Sequence, residues 1–305
     1  MTNSLSVFVL RRLLGALIFV VVVSTSALVL IRLAPGDATT DMKMSVADPA
    51  AIAAARSRLG LDRPIWAQAA SWIGGLARFD LGTSSHYGRP VSGLVVERVG
   101  NTAILGGLAL VMATLIGIPC GVVSGSRGGA GARVIAAASI LLVAAPPMLL
   151  ALALLYLAVT TGVLSVEPGS LLLPLLALAL PMGAVIERLQ SRATADTVHT
   201  PAFVAAAARG IPRARVVWLH SLRASLQPVL GVYGIIIAAL FSGSVAVEAI
   251  TSWPGLGRLM LDGLLSRDVF LVAGCALAGS FLVAIGNLTA DVLRAFIDPR
   301  IREAA

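Results

Sequence analysis

The apolar positions of this chain do not alternate; they run together in long uninterrupted stretches. Windows free of charge cover Leu13 to Ile31, Val99 to Ser126, Val134 to Val166, Pro168 to Ile186, Ala224 to Val247 and Val269 to Ala290. A bilayer core takes about 20 apolar residues in helical form, so the pattern predicts an all-α integral membrane protein with six transmembrane helices. Pro146-Pro147 divides the third window. Two half-helices would satisfy it, but one kinked and tilted span fits the spacing better, because neighbouring helices can satisfy the freed carbonyls. Leu13 to Val23 has the make-up of a signal-peptide core, yet the uncharged run continues to Ile31 with no A-x-A pattern close behind. A retained first span is expected.

The polar stretches between the windows differ in kind. Ala202 to Pro228 reads AFVAAAARGIPRARVVWLHSLRASLQP. Ala205 to Ala208 with Arg209 is good helix-forming sequence, Gly210 can end that helix in a left-handed conformation, and Pro212 can open a second helix at its first position. A guanidinium at mid-bilayer costs roughly 2.5–3.5 kcal/mol, so Arg209, Arg213, Arg215 and Arg223 place this pair of helices in water. An ordered knob of that type fits a docking element for another protein better than a solvated basic loop.

Pro35 to Arg98 is too charged to span. Leu59, Ile65, Trp66, Trp72, Ile73 and Leu76 predict amphipathic helices against the outer face, with Gly60 and Pro64 as punctuation. Thr251 to Asp268 couples a turn at Trp253-Pro254-Gly255 to a short amphipathic helix carrying Leu256, Leu259, Met260 and Leu264. It either dips into the mouth of a pore or staples two spans together. The domain organisation expected is a first span over 1–33, an extracytoplasmic segment over 34–98, and a five-helix core over 99–305 with a cytoplasmic loop at 188–227 and an outer loop at 251–268.

Composition supports the membrane class: of 305 residues, 58% are hydrophobic and 12% charged, and the mean hydropathy is +0.93. An average soluble domain carries about 25% charged residues. The net charge of +8 is dispersed at span ends rather than gathered on one helix or tail, which excludes a nucleic-acid partner. With the N-terminus inside, the inner connections hold 13 arginines against 5 acids, and the outer ones 10 basic against 10 acidic residues. The whole excess is then cytoplasmic, on the same side as the basic knob, as the positive-inside rule requires.

Several chemistries are missing. Lys43 is the single lysine and no glycine-rich loop precedes it, so the chain has no phosphate loop of its own. His86, His199 and His220 lack metal-ligand spacing, and Cys120 and Cys275 sit in apolar runs as small hydrophobes. No metal or cofactor site and no enzyme activity is expected. An ion-gradient-driven secondary transporter is the competing class, and Glu248 is the one carboxylate near a window that could serve it. Glu248 reads better as an outer-interface residue hydrogen-bonded to the Trp253 loop.

Five stretches carry a family resemblance: LGLDRPIWAQAASWIGGLARFDLGTS, GRPVSGLVVERVGNTAILG, AARGIPRARVVWLHSLRASLQPVL, SWPGLGRL and DVLRAFIDPRIR. In that order and spacing the chain resembles, nearly end to end, the permease subunits of ATP-binding-cassette importers of the dipeptide/oligopeptide/nickel branch. The resemblance implies a type I importer permease fold in a bacterial-type inner membrane, with both termini cytoplasmic. It implies as partners a second permease subunit, in a heterodimer, two ATPase subunits or one fused ATPase, and an extracytoplasmic binding protein. ATP and magnesium would belong to the ATPases. The cargo implied is short peptides, with nickel chelates, glutathione or modified sugars as alternatives. The family's ATPase-coupling signature would fall on Phe203, Ala206, Ala207, Arg209 and Gly210, with Ile211, Arg213 and Arg215 following. Glu248 and the segment Trp253, Pro254, Gly255, Leu256, Gly257 and Arg258 resemble the family's outer loop at the translocation path. Phe203, Ala205 and Ala207 replace the family's more polar first coupling helix, and Gly100 stands where a proline is common.

Overall fold

The computed structural model describes residues 2–34, 49–58, 62–163, 167 and 169–297. The expectations for Leu59 and Gly60, the window ends Val166 and Pro168, and the charges at Asp37, Asp41, Lys43, Asp48, Asp298, Arg300, Arg302 and Glu303 fall outside them. In chain order the helices are α1 (Thr2–Leu33), α2 (Pro49–Arg58), α3 (Ile65–Leu76), α4 (Val91–Ser126), α5 (Ala130–Ala144), α6 (Pro147–Thr161) and α7 (Leu172–Val198). There follow α8 (Pro201–Ala208), α9 (Arg213–Arg215), a π-helical turn (Val216–Ser221), α10 (Leu222–Leu230), α11 (Tyr233–Thr251), α12 (Leu256–Leu265) and α13 (Val269–Ile297).

Five helices, α1, α4, α7, α11 and α13, are each long and apolar enough to cross a membrane. The third window is not one kinked span. Its two halves, α5 and α6, are bent by 106° at the double proline. Ala145 takes an extended conformation ahead of Pro146, as a residue before proline must, and Pro147 opens α6 at its first turn. Each half has 15 residues, about 22 Å of helix, which is short of a hydrocarbon core of roughly 30 Å. Counted together as one broken span, they bring the candidate crossings among the described residues to six.

Other boundaries moved for equally local reasons. The window Ala224 to Val247 is split, because α10 ends at Leu230 and the span begins at Tyr233 after a turn at Gly231 and Val232. Pro228 has already removed one donor from the last turn of α10. α7 runs well beyond Ile186 and buries Glu187, Gln190 and Thr194. Glu187, expected among the inner-face acids, is thus 3% exposed.

The chain divides into two compact units. One comprises 1–8, 104–253 and 285–305, with Leu105, Leu178, Ile186, Val229, Leu240 and Val247 in its core. Its tightest packing joins α4 to α7. A Cβ on Gly117 would stand 2.5 Å from the carbonyl oxygen of Gly183, one on Gly121 2.6 Å from that of Glu187, and one on Gly125 would collide with that of Ser191. Glycines four apart let the backbones meet, which is how helices associate where lipid supplies no hydrophobic drive. Polar groups lock the seam: Ser124 Oγ donates to Glu187 Oε1 at 2.5 Å, and Gln190 Nε2 donates to Thr194 Oγ1 at 3.0 Å and to Ser225 Oγ of α10 at 2.7 Å.

The other unit comprises 9–103 and 254–284, built around Leu28, Trp72, Leu81, Val91, Leu256, Leu259 and Leu271. Here α3 buries Gln68 and Trp72. Trp72 Nε1 donates to Ser24 Oγ of α1 at 3.4 Å, and its ring stacks on Phe270 at 6.3 Å. Trp66 and Ile73, expected on the covered face, are 75% and 46% exposed. One indole with a buried hydroxyl to reach has oriented the helix in place of the larger apolar set.

Gly121→Ala forces α4 away from α7 and should lower the stability of the purified protein by about 1–3 kcal/mol. Gly107→Ala, where a Cβ meets nothing within 4 Å, should raise it slightly through helix propensity. Thermal unfolding of both variants in one detergent checks the contrast; equal midpoints would remove the seam from the account.

Candidate functional site

The basic knob forms as two helical pieces about a glycine. Thr200 accepts the Phe203 and Val204 amides on its carbonyl and starts α8; Arg209 N still reaches Ala205 O at 3.2 Å. Gly210 then turns left-handed at φ +79. Pro212, with φ −54 and ψ 132, is the cap of the next helix rather than its first residue, so α9 begins at Arg213, one position later than expected. Proline still suits the place, since its fixed φ costs nothing there and no helical N–H is lost.

Phe203, Ala206 and Ile211 are half-buried, while Arg209, Gly210, Arg213, Arg215 and Arg223 are exposed. Ala207 has its backbone in α8, and its side chain lies outside the described set. Arg213 Nη2 donates to Ser126 O, the last carbonyl of α4, at 3.0 Å. That places a cation on the negative end of a 36-residue helix. The knob is therefore fastened to the glycine seam at two points, through Arg213 to α4 and through Ser225 to Gln190 of α7.

Sequence reasoning missed Trp218 and Leu219, which are 42% and 65% exposed beside the knob. Val216 to Leu219 reads as a buried apolar run. The π-helical turn widens the backbone, so Val216 and Val217 go inward and the next two residues outward. π turns inside helices concentrate at functional places.

The end of α11 lies in the first unit. Glu248 O accepts the Ser252 amide and, at 3.0 Å, the Trp253 amide, closing the helix with Ser252 at φ +57. The hydrogen bond between Glu248 and the Trp253 segment runs through the backbone. Glu248 itself is fully buried.

In the second unit, Pro254 O accepts from Asn101 Nδ2 at 2.7 Å, and Leu256 N donates to the buried Thr102 Oγ1 at 2.7 Å. α12 then buries Leu256, Gly257 and Leu259 and turns Arg258 outward. Its end repeats the left-handed closure with Arg267 at φ 54, at a cost of about 1–2 kcal/mol for a residue other than glycine. Asp268, 1% exposed, caps α13 through Leu271 N at 3.1 Å. Its other oxygen holds the turn before α4, accepting Ser84 Oγ at 2.6 Å and His86 N at 3.1 Å. Tyr87 donates its hydroxyl to Asp262 at 3.1 Å; burial, then the Asp262 carboxylate, push that phenol above its ordinary range.

Asn101 and Thr102 sit inside a quoted stretch, yet nothing in their local pattern pointed to a loop some 150 residues away. Thr102→Val keeps the shape and removes the acceptor. Amide exchange over 254–260 should then accelerate about tenfold at Leu256, the effect of one net hydrogen bond. Unchanged exchange would mean that the threonine does not hold the loop.

Residues 117–303 match the model of the binding-protein-dependent transport system inner membrane component, and residues 5–105 match the N-terminal part of the corresponding membrane component. The oligopeptide transport system permease protein AppB of Bacillus subtilis is 32% identical over 97% of this chain and 99% of its own. A probable peptide ABC transporter permease protein of Sinorhizobium fredii is 30% identical over 98% of this chain and 100% of its own. Among solved structures, an inward-facing form of the MetNI methionine ABC transporter matches with a TM-score of 0.57 at 18% identity, covering 67% of this chain and 96% of that one; this likeness bears on the fold alone. With helices, turns and two family models in agreement along the chain, it belongs to the binding-protein-dependent inner-membrane transport family and is a multi-pass permease subunit of an ATP-binding-cassette importer.

Proposed function

We propose that this subunit passes short peptides from an extracytoplasmic binding protein into the cytoplasm. The observation that carries the reading is similarity along nearly the whole chain to permeases named for oligopeptide and peptide transport. Both termini are cytoplasmic on this reading, because the arginine excess and the exposed knob then share a side. The permease pairs with a second, similar subunit around a central path. Phe203, Ala206, Ala207, Arg209, Gly210, Ile211, Arg213 and Arg215 meet an ATPase below. Glu248 and Trp253 to Arg258 belong to the outer side of the path, where the binding protein docks.

ATP and magnesium are bound by the ATPases. Closure of the ATPase pair draws the knobs together, and the spans pass from inward-open to outward-open, receive cargo and reset after hydrolysis. Support for direct transmission comes from Arg213 and Ser225, which tie the knob to α4 and α7. A push on α8 and α9 reaches rigid spans without an intervening loop.

Ion-gradient coupling is the second reading, and the buried carboxylates Glu187 and Glu248 are what it would use. Purification with native partners and mass identification of the binding protein's ligand tests the first. Co-purifying ATPases with a bound peptide is the result expected. Uptake abolished by an ionophore yet insensitive to ATP depletion would favour the second.

Gly210→Val should cut ATP-dependent uptake by about tenfold or more at normal membrane levels, since a β-branched residue resists positive φ. Gly210→Asn, which tolerates that conformation, should retain most of it. Wild-type uptake by the valine variant would dismiss the glycine hinge.

A further inference from the structure

Within the second unit, one end of α1 and the helix α12 enclose a cleft of about 400 Å³. That volume is in the range of small-ligand sites. Leu30, Ile31 and Ala34 form one wall, and Met260 and Leu264 face them. The charged residue in the lining is Arg267, whose Nη1 is buried and makes no hydrogen bond among the described residues. Both neighbouring carboxylates are engaged elsewhere, Asp262 by the Tyr87 hydroxyl and Asp268 by Ser84, His86 and Leu271.

The backbone makes the arginine conspicuous. Position 267 is left-handed, so glycine would close α12 with less strain. A cation does suit the end of a helix, but a solvated side chain supplies that field; burying a guanidinium nitrogen without an acceptor adds nothing to it. The side chain is held in an apolar groove with donors to spare, which calls for an anion that arrives with apolar groups attached.

The wall on α1 says which. Leu30 and Ile31 lie in the last turn of a membrane span of which only 17% of the apolar window is buried, and Leu30 is 67% exposed. The cleft thus lies where hydrocarbon gives way to headgroups. We propose that it binds one anionic phospholipid, with the phosphate on Arg267 and an acyl chain along Leu30 and Leu264. Arginine donates to phosphate oxygens in parallel pairs, and the apolar wall accepts the first methylenes. The bound lipid would brace the outer-loop helix against the first span.

The test uses the assembled transporter, stripped by detergent washing, given phosphatidylglycerol, and weighed by native mass spectrometry. The wild type should retain one phosphatidylglycerol that Arg267→Gly holds about tenfold more weakly, the effect of losing charge-assisted hydrogen bonds. Glycine suits the backbone at that position, so the variant should fold, and a thermal midpoint no lower than that of the lipid-stripped wild type verifies it. Ala34→Trp, which fills the cleft while keeping the guanidinium, should also release the lipid. Equal lipid retention by wild type and Arg267→Gly overturns the proposal. So does displacement by millimolar inorganic phosphate, which would mean a free-anion site, or efficient cross-linking of Leu30→Cys to the second permease, which would mean that protein covers the groove.

Discussion

The approach of α4 to α7 is the constraint on which the rest of the first unit depends. Three glycines four residues apart bring one backbone within van der Waals reach of the other, and no other residue type fits without moving carbonyl groups. That closeness makes a buried carboxylate tolerable. Glu187 sits in the seam and accepts a hydrogen bond from Ser124, and one turn further Gln190 turns to Ser225. Burying a polar group without a partner is costly, so the hydrogen bonds that these side chains make fix the register of α4, α7 and α10.

From that register the knob follows. α8 is a continuation of α7 past a short turn at His199 and Thr200, and α9 leads through the π turn into α10. Both arms of the knob are thereby rooted in helices already locked to one another. Arg213 adds a third attachment at the end of α4. An arginine that looks on paper like one more exposed charge is half structural, which explains how the knob keeps its geometry although most of its residues are exposed.

How much of this was legible depended on the range of the interaction. Gly210 and its left-handed turn, the helix before it and the leucine face of α12 are local facts, and the sequence states them in a few residues. The break at Pro146 was visible, but its size was not: a kink and a 106° bend differ in what the neighbouring helices accept, which no window of sequence contains. Glu187 was misplaced for the opposite reason. A charge ends an apolar window by rule, whereas the half-buried hydroxyl of Ser124, 63 positions earlier, lets the helix continue inward. Trp72 prevailed over Trp66 and Ile73 because Ser24 and Phe270 were there to meet it.

Left-handed turns in the two units solve the same backbone problem differently. α3 and α12 end alike: Phe79 and Arg267 are left-handed at φ 56 and 54, and the aspartate that follows each returns its amide to the helix, Asp80 N to Gly75 O at 3.0 Å and Asp268 N to Gly263 O at 2.8 Å. Asp268 then spends its carboxylate on Ser84, His86 and Leu271, and Asp80 gives an oxygen to Gly82 N at 2.9 Å. Strained conformations at residues other than glycine persist where surrounding bonds over-determine them. The knob has no such surplus at Gly210, where a Cβ would meet nothing within 4 Å and only the sign of φ forbids it. A segment held by redundancy resists being turned, whereas one held by a single permissive residue can change its angle without breaking bonds. The closures of α3 and α12 are therefore held in shape by several bonds each, whereas the elbow at Gly210 is held by one residue's freedom.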